Sequence, residues 1–402
     1  EMETTKSETM KEPSRNLQNG DGQFALFDID EVKLGKKLGS GGFSNVYEVK
    51  SFECNNSHNR KIKQSHKEAR EKLSRSVKDG SCAIKFLKKE LLEDSERFDG
   101  AAQDLETEGK ILAGLDHPNI LKIKGWAANG FDAYFDMNRH DAYFLLMERL
   151  EKTLAKRIDE WKDLVDSNAF DDLVAQDESI QQKMMLKQLK TALDIARALE
   201  YLHDQGFVFR DLKPDNVGLD SEGHGKLFDF GLARKLPTES AEGKSEMSGK
   251  VGTARYMAPE VYMNEPYNTK ADVYSFAHVL WEMLELEKPY AGFTATTHRR
   301  FAILKGDRPD IDSSWPAGIQ KLLVESWHRD MNERPMMKEV RAILETEVAA
   351  LQKGIKETPE KHARRLSFVN VRKEEEEENK RVRNPLRRRR FSRKGSLVSR
   401  AA

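Results

Sequence analysis

The sequence predicts an α+β fold in two lobes, a small β-rich one followed by a larger, mainly helical one. Two patterns carry that expectation. Short apolar runs of strand type come first: Val32, Leu34, Leu38, Val46 and Val49 alternate around a cluster of glycines, then Cys82-Ala83-Ile84 and Tyr143–Met147 follow. Long segments with a helical period come later, at 181–203 and 271–285. Strands first and helices second segregate the two kinds of layer instead of interleaving them.

Taken in order, residues 1–23 are polar, lack a hydrophobic period and are expected to be disordered. The glycine cluster between two alternating runs predicts a strand–turn–strand hairpin from Phe24 onward. Residues 51–80 are rich in Lys, Ser and Asn and read as a long basic loop inserted between strands. Segment 95–115 has helical spacing and stops near Gly114. Residues 128–142 and the acidic, weakly periodic 156–180 read as two further insertions. Met185, Leu189, Ala192, Ala196 and Leu199 mark one amphipathic helix, and Val273, Phe276, Ala277, Leu280, Trp281 and Leu284 another. One domain is therefore expected over 24–354, with a first lobe at about 24–147 and a second at about 151–354. Residues 355–402 are a charged tail, and 361–402 hold fifteen Lys or Arg against five Glu.

Bulk composition narrows the class. Of 402 residues 38% are hydrophobic, enough for a core, while 34% are charged, which leaves long solvated stretches. Net charge is +0, so overall charge argues for neither nucleic acid nor membrane. Cys54 and Cys82 are too few for a disulfide framework, which suggests a reducing compartment, the cytoplasm. No apolar run is long enough to span a bilayer, and the first residues lack the apolar stretch of a signal peptide. Histidines show no ligand spacing, so no zinc site is expected.

The chemistry-bearing residues come in a fixed order. Leu38-Gly39-Ser40-Gly41-Gly42-Phe43-Ser44-Asn45-Val46 puts glycines between strands, where backbone N–H groups can approach phosphates. Alone, such a hairpin is more often a plain turn. Cys82-Ala83-Ile84-Lys85 ends a strand in a lysine able to reach phosphates if a helical carboxylate holds it. Glu108 or Glu106 would be that carboxylate. Glu108 is favoured because Ile111 and Leu112 follow it at i+3 and i+4. In Phe209-Arg210-Asp211-Leu212-Lys213-Pro214-Asp215-Asn216, Asp211 can accept a hydroxyl proton, Lys213 can neutralise a migrating phosphoryl group, and Asn216 can hold a metal. Asp229-Phe230-Gly231 lies thirteen residues beyond Asn216 and offers a second metal ligand, Asp229.

These motifs, at this spacing, resemble the eukaryotic protein kinase domain over about 30–350. Lys213-Pro214 is similar to serine/threonine kinases, while Ser326–Asp330 and Leu280-Trp281-Glu282 are similar to tyrosine kinases. That mixture resembles the tyrosine-kinase-like group of serine/threonine kinases. The resemblance implies a bilobal kinase fold that binds ATP and Mg2+ in the cleft and takes protein substrates. It implies an ATP site formed by Leu38, Gly39, Ser40, Gly41, Gly42, Val46, Ala83 and Lys85, with Met147 as gatekeeper and Glu148–Leu150 as the hinge that bonds adenine. Asp211, Lys213, Lys85 and Glu108 would be catalytic, and Asn216 and Asp229 would hold metal. It also implies that Ala258-Pro259-Glu260 closes the activation segment, that Asp272 tethers the catalytic loop, that Arg334 pairs with Glu260, and that Thr253 contacts Asp211 and Lys213.

Three positions depart from the family pattern. Phe209 replaces a histidine and should keep a stack with Phe230. Ser44 replaces the third glycine. Gly218 replaces a leucine that floors the adenine, so a wider nucleotide pocket is expected. Regulation is expected through Arg210, pairing with a phosphate on Ser245 or Ser248. Basic residues precede Ser367, Ser392 and Ser396, which resemble sites for basophilic kinases. The run Arg387–Arg390 fits a nuclear-import signal or a contact with anionic partners such as lipid, and equally a neutral solvated tail. Two other readings of the whole remain open: a tyrosine or dual-specificity kinase, and a catalytically weak scaffold that binds ATP.

Overall fold

Strand pairing in the first lobe follows directly from the alternating runs. The structure, a computed structural model, describes residues 24–53, 64–77, 80–167, 179–236 and 252–355. A six-stranded sheet is built from β1 (Ala25–Phe27), β2 (Val32–Ser40), β3 (Ser44–Phe52), β4 (Cys82–Leu87), β5 (Ile123–Ala127) and β6 (Leu145–Glu148). Its order is β1-β5-β6-β4-β3-β2. All neighbours are antiparallel except β1 and β5, which are parallel. The register sets Val46 opposite Lys85 and Ala83 opposite Met147, two neighbouring rows that share one face of β3, β4 and β6.

β1 is a strand too short to be read from a period of two. It approaches β5 so closely that a Cβ on Gly125 would fall 2.1 Å from the Ala25 carbonyl oxygen, so only glycine fits there.

The expected loop at 51–80 instead contains a helix, α1 (Gln64–Ser76). Its buried face consists of His66, Arg70 and Leu73, and only the last of these is apolar. A helix that docks through polar groups shows no hydrophobic period, which is why composition alone reads as loop. Arg70 supplies the docking. Its guanidinium meets Glu31 twice, at 2.7 and 3.1 Å, donates to the Leu26 carbonyl at 2.6 Å, and lies 4.4 Å over the Phe27 ring. Both charges are almost fully buried, so bidentate geometry and the extra carbonyl bond are what offset their desolvation.

Residues 128–142 fold back on the same lobe through α3 (Ala133–Met137), which follows α2 (Ser95–Ala113) in the chain. Tyr134 is buried there, edge-on to Phe98 at 5.1 Å, with its hydroxyl donating to the Tyr143 carbonyl. Asn129 reaches Asp28 at 2.9 Å and Arg139 reaches Asp30 at 3.2 Å. Both added segments of the first lobe are thus fastened to residues 24–31.

The segment expected as an acidic insertion from 156 begins inside a packed helix, α4 (Leu154–Val165), which follows the two-residue strand β7 (Lys152–Thr153). Leu154, Ile158 and Trp161 form its buried face, and Thr153 caps it by accepting from Lys156 N at 3.3 Å. Acidic residues on the exposed side had masked that spacing. Residues 168–178 lie outside the described residues.

Two long helices organise the second lobe. α5 (Ile180–Asp204) packs against α7 (Lys270–Glu285), which is buried from Ala271 through Met283 and forms the lobe's axis. Between them in sequence run β8 (Phe207–Val208), β9 (Val217–Leu219), β10 (Gly225–Leu227) and α6 (Pro259–Met263). Arg334, 1% exposed, meets Glu260 with two bonds of 2.6 and 2.9 Å, fastening α6 to the segment before the last helix, 337–355.

Candidate active site

The loop joining β8 to β9 is held from below by one carboxylate. Asp272, at the start of the buried axis helix α7, accepts from Phe209 N at 2.8 Å and Arg210 N at 2.9 Å. His203 Nε2–H, at the end of α5, donates to the same carboxylate at 2.9 Å. Held this way, Arg210 adopts φ +71°; Asp229, two residues after β10, has φ +65°, and such left-handed values cost non-glycine residues about 1–3 kcal/mol each. The Phe209 ring stacks edge-on against Phe230, centroids 5.1 Å apart. The aromatic replacement therefore keeps the packing expected of it.

Asp211 stands at the centre of a polar net. Lys213 Nζ donates to its Oδ2 at 2.7 Å and to Thr253 Oγ1 at 2.9 Å. Thr253 N and Oγ1 both reach Asp211 Oδ1, at 2.8 and 3.0 Å. Asn216 Nδ2 donates to the Asp211 carbonyl and to Oδ2, at 2.8 and 2.9 Å. Its amide donors are thereby used, which leaves the amide oxygen as the group available to a cation.

Facing it from the first lobe, Lys85 Nζ lies 2.6 Å from Glu108 and 3.2 Å from Asp229. Burial opposes the charge on Lys85, but the two carboxylates outweigh it and hold the ammonium well above the usual lysine range. The Lys85 charge in turn pulls the Asp229 carboxyl below its ordinary value despite its burial. Glu108 is thus the partner among the two glutamates considered, and Glu106 instead pairs with Lys110 at 2.8 Å on the helix surface.

Around this polar centre the expected nucleotide-binding residues form two walls. Leu38 and Val46 are half-buried, and Ala83 and Met147 are buried beneath them. A Cβ on Gly39 or Gly42 would meet nothing within 4 Å, so the chain's own packing does not demand glycine there. Ser40 Oγ donates to Asn45 and Gly41 N to the Ser44 carbonyl, closing the turn. The space beside Gly39 and Gly42 in that turn is open.

The hinge is narrower than the sequence suggested. Glu148 N donates to Lys122 O and Arg149 N to Ser81 O. The Glu148 carboxylate is turned away into a clamp with Lys226 at 3.0 and 3.1 Å. Among the described residues no hydrogen bond uses the Leu150 N–H, which remains for a base to accept from. The Leu150 side chain was not anticipated: a Cβ on Gly218 would fall 2.2 Å from its Cδ1. The space lost by glycine is refilled from the hinge, so the expected widening of the pocket does not occur at that point. Only a pairwise contact across 68 residues could have revealed this.

Other expectations fare differently. Arg210 Nε donates to Leu232 O at 2.6 Å and Nη1 to the Tyr267 hydroxyl at 3.1 Å. Ser245, Ser248, Cys54 and the tail beyond 355 lie outside the described residues. Cys82 is buried and its thiol is pushed up to about 11, which makes it a packing residue. No described helix is long and apolar enough to cross a membrane.

A β-rich lobe and a helical lobe, with a lysine–glutamate pair facing a braced aspartate across the cleft, are the architecture of the protein kinase class. Comparison with known proteins agrees. The model of the protein tyrosine and serine/threonine kinase family matches residues 32–344, and the chain belongs to that family. A probable serine/threonine-protein kinase of Dictyostelium discoideum is 27% identical over 318 residues, covering 78% of this chain and 19% of its own length. The serine/threonine/tyrosine-protein kinase HT1 of Arabidopsis thaliana is 37% identical over 167 residues, 42% of each chain. The serine/threonine-protein kinase VIK of the same plant is 40% identical over 162 residues, covering 38% of this chain and 36% of its own. The chain thus matches less than half the length of each of these relatives.

Proposed function

We propose that this protein transfers the γ-phosphate of ATP, bound with Mg2+, to serine or threonine hydroxyls of other proteins. The observation that carries the reading is the net on Asp211. Its carboxylate is aimed by Thr253, Lys213 and Asn216 at the mouth of a cleft whose far side presents Lys85. Asp211 is positioned to orient an attacking hydroxyl and accept its proton, while Lys213 beside it offsets negative charge developing on the migrating group. Lys85, kept cationic and aimed by Glu108, would steady the α- and β-phosphates.

Asp229 and the oxygen of Asn216 would hold magnesium, whose bound form neutralises phosphate charge and aligns the transferring group. Leu150 N–H would fix the base, and Leu38, Val46, Ala83 and Met147 would enclose it with Leu150 below. Lys213-Pro214 and the Thr253 contact favour an aliphatic hydroxyl. Conversion of Asp211→Asn tests the reading: phosphate transfer should fall by on the order of 1,000-fold while nucleotide binding persists. Unchanged transfer would remove Asp211 from this role.

Dual specificity is the second reading, favoured by the name of the plant relative HT1, a serine/threonine/tyrosine kinase. Phosphoamino-acid analysis of a mixed protein substrate separates the two. We further propose a cytoplasmic location on the cysteine usage, with the basic run Arg387–Arg390 as a contact for anionic partners or nuclear import. Removing residues 356–402 and following location and activity tests that part.

A further inference from the structure

Helix α2 carries Glu108, yet the ion pair with Lys85 does not by itself hold that helix against the sheet. Both partners are largely buried and burial pushes the Glu108 carboxyl up, so much of the attraction at 2.6 Å goes to offsetting lost hydration. Lys85 also faces Asp229 at 3.2 Å and would keep one carboxylate if α2 withdrew. Where Glu108 stands therefore depends on what packs against the rest of α2.

Besides Glu108, the buried face of α2 consists of Phe98, Ala101, Ala102, Leu105, Gly109 and Leu112. Its small residues let the helix lie close to the sheet. A Cβ on Gly109, the neighbour of Glu108, would fall 2.8 Å from Leu145 Cδ2 and 3.1 Å from the Tyr143 hydroxyl. Small residues also bury little apolar area, which leaves Phe98, the largest side chain of the face, to anchor the first turns.

The partner of Phe98 comes from residues 128–144, which join β5 to β6. Adjacent antiparallel strands need a loop of only about two to five residues. This connection is far longer, and it folds over α2. Tyr134 on α3, 2% exposed, meets the Phe98 ring edge-on at 5.1 Å. Its hydroxyl donates to the Tyr143 carbonyl at 3.0 Å, and Phe131 stands edge-on to both tyrosines at 5.8 and 6.0 Å. Tyr143 thus links the two contacts, its carbonyl bonded to α3 and its hydroxyl beside Gly109. Asn129 to Asp28 and Arg139 to Asp30 fasten the whole connection to residues 24–31.

We propose that Tyr134 is a positioning residue for phosphoryl transfer: by bracing Phe98 it keeps α2 where Glu108 can aim Lys85. The inference rests on the kinase reading above and deepens it, because the brace is supplied by this chain's own β5–β6 connection. Phe98 precedes Glu108 by ten residues, about 15 Å along a helix, so Tyr134 acts through α2 and not on the reacting atoms.

The test uses the full chain and measures kcat for ATP-dependent phosphorylation of dephosphorylated casein. In Tyr134→Leu, kcat should fall by roughly tenfold to a hundredfold, the scale of a small misplacement of a catalytic group. Tyr134→Phe keeps the ring on Phe98 and should retain most of the parent kcat. The decisive reading repeats Tyr134→Leu in a Glu108→Ala background, where α2 has no group left to aim at Lys85. There Tyr134→Leu should change kcat by less than about twofold, while its shift of the urea midpoint should match the shift seen in the parent. A merely structural role would lower activity by the same factor in both backgrounds. Phe98→Leu loses the same ring contact from the helix side and carries the cycle if Tyr134→Leu does not fold. Unchanged kcat in Tyr134→Leu, equal impairment in Tyr134→Phe, or an equal factor in both backgrounds overturns the brace and leaves the kinase reading intact. A parent chain that transfers no phosphate from ATP overturns the kinase reading, and the brace with it.

Discussion

Leu150 occupies the volume that any side chain on Gly218 would need, with its Cδ1 2.2 Å from where that Cβ would stand. Two residues 68 apart in sequence, one on the hinge and one on β9, therefore share one space. Gly218→Leu should consequently overpack the cleft floor. A loss of roughly 1–3 kcal/mol in urea unfolding is expected, with weaker nucleotide binding. Shrinking the partner should rescue it: in the pair Leu150→Ala with Gly218→Leu, both losses should largely disappear. A double variant no better than Gly218→Leu alone would refute the shared-space account.

Lys85 and Glu108 form the second testable relationship. In Lys85→Met the buried Glu108 loses the cation 2.6 Å away. Transfer activity should fall by on the order of 100-fold or more. The orphaned carboxylate should also destabilise the first lobe by roughly 3–5 kcal/mol unless it takes up a proton, so the variant's melting temperature should drop as pH rises. Glu108→Gln should be milder in stability, because Lys85 still has Asp229 at 3.2 Å. Melting curves of both variants across pH, set against turnover, distinguish these outcomes.

A third prediction concerns pH in the second lobe. Burial pushes the Glu282 carboxyl from its ordinary 4.5 up to about 7, against the pull of the Tyr256 hydroxyl 2.6 Å away. The folded protein then holds a proton that the unfolded chain has already released. Stability from this group is full below pH 4.5 and is lost progressively as pH rises through about 7, roughly 3 kcal/mol in all. Glu282→Gln keeps the shape without the charge, so it should be more stable than the parent at pH about 8 and nearly equal at pH about 5. Parallel slopes for parent and variant would contradict it.

Arg70 provides the fourth. Arg70→Met leaves Glu31 ionised in a site where it is 1% exposed, and should cost about 3–5 kcal/mol. Adding Glu31→Leu should recover much of that, because two apolar side chains replace two charges that were expensive to desolvate. Denaturant unfolding of the single and double variants reads the coupling directly.

Much of the site was legible because its motifs are local. Lys85, Glu108, Asp211, Asn216 and Asp229 each stand in a short run whose chemistry can be read alone, and the fold brings their groups together. The helices at 180–204 and 270–285 were legible because burial imposes an apolar period on them. What escaped is what depends on contacts between distant residues. Helix α1 docks through His66 and Arg70 and so carries no apolar stripe. Trp161 and Ile158 were hidden in α4 by the acidic residues around them. Leu150 refilling Gly218 becomes visible only once β9 and the hinge have positions in space.

The strap before Val32 bears on how this domain can be handled. The family match begins at residue 32, yet Phe27 and Glu31, the partners of Arg70, precede it. A recombinant piece cut at the homology boundary would keep the inserted helix and discard its anchor, leaving a buried guanidinium without its carboxylate and a bare strand edge at β5, open to self-association. The shared catalytic core is therefore not the smallest autonomous unit here. Eight residues that precede the family match set that limit instead: 24–31.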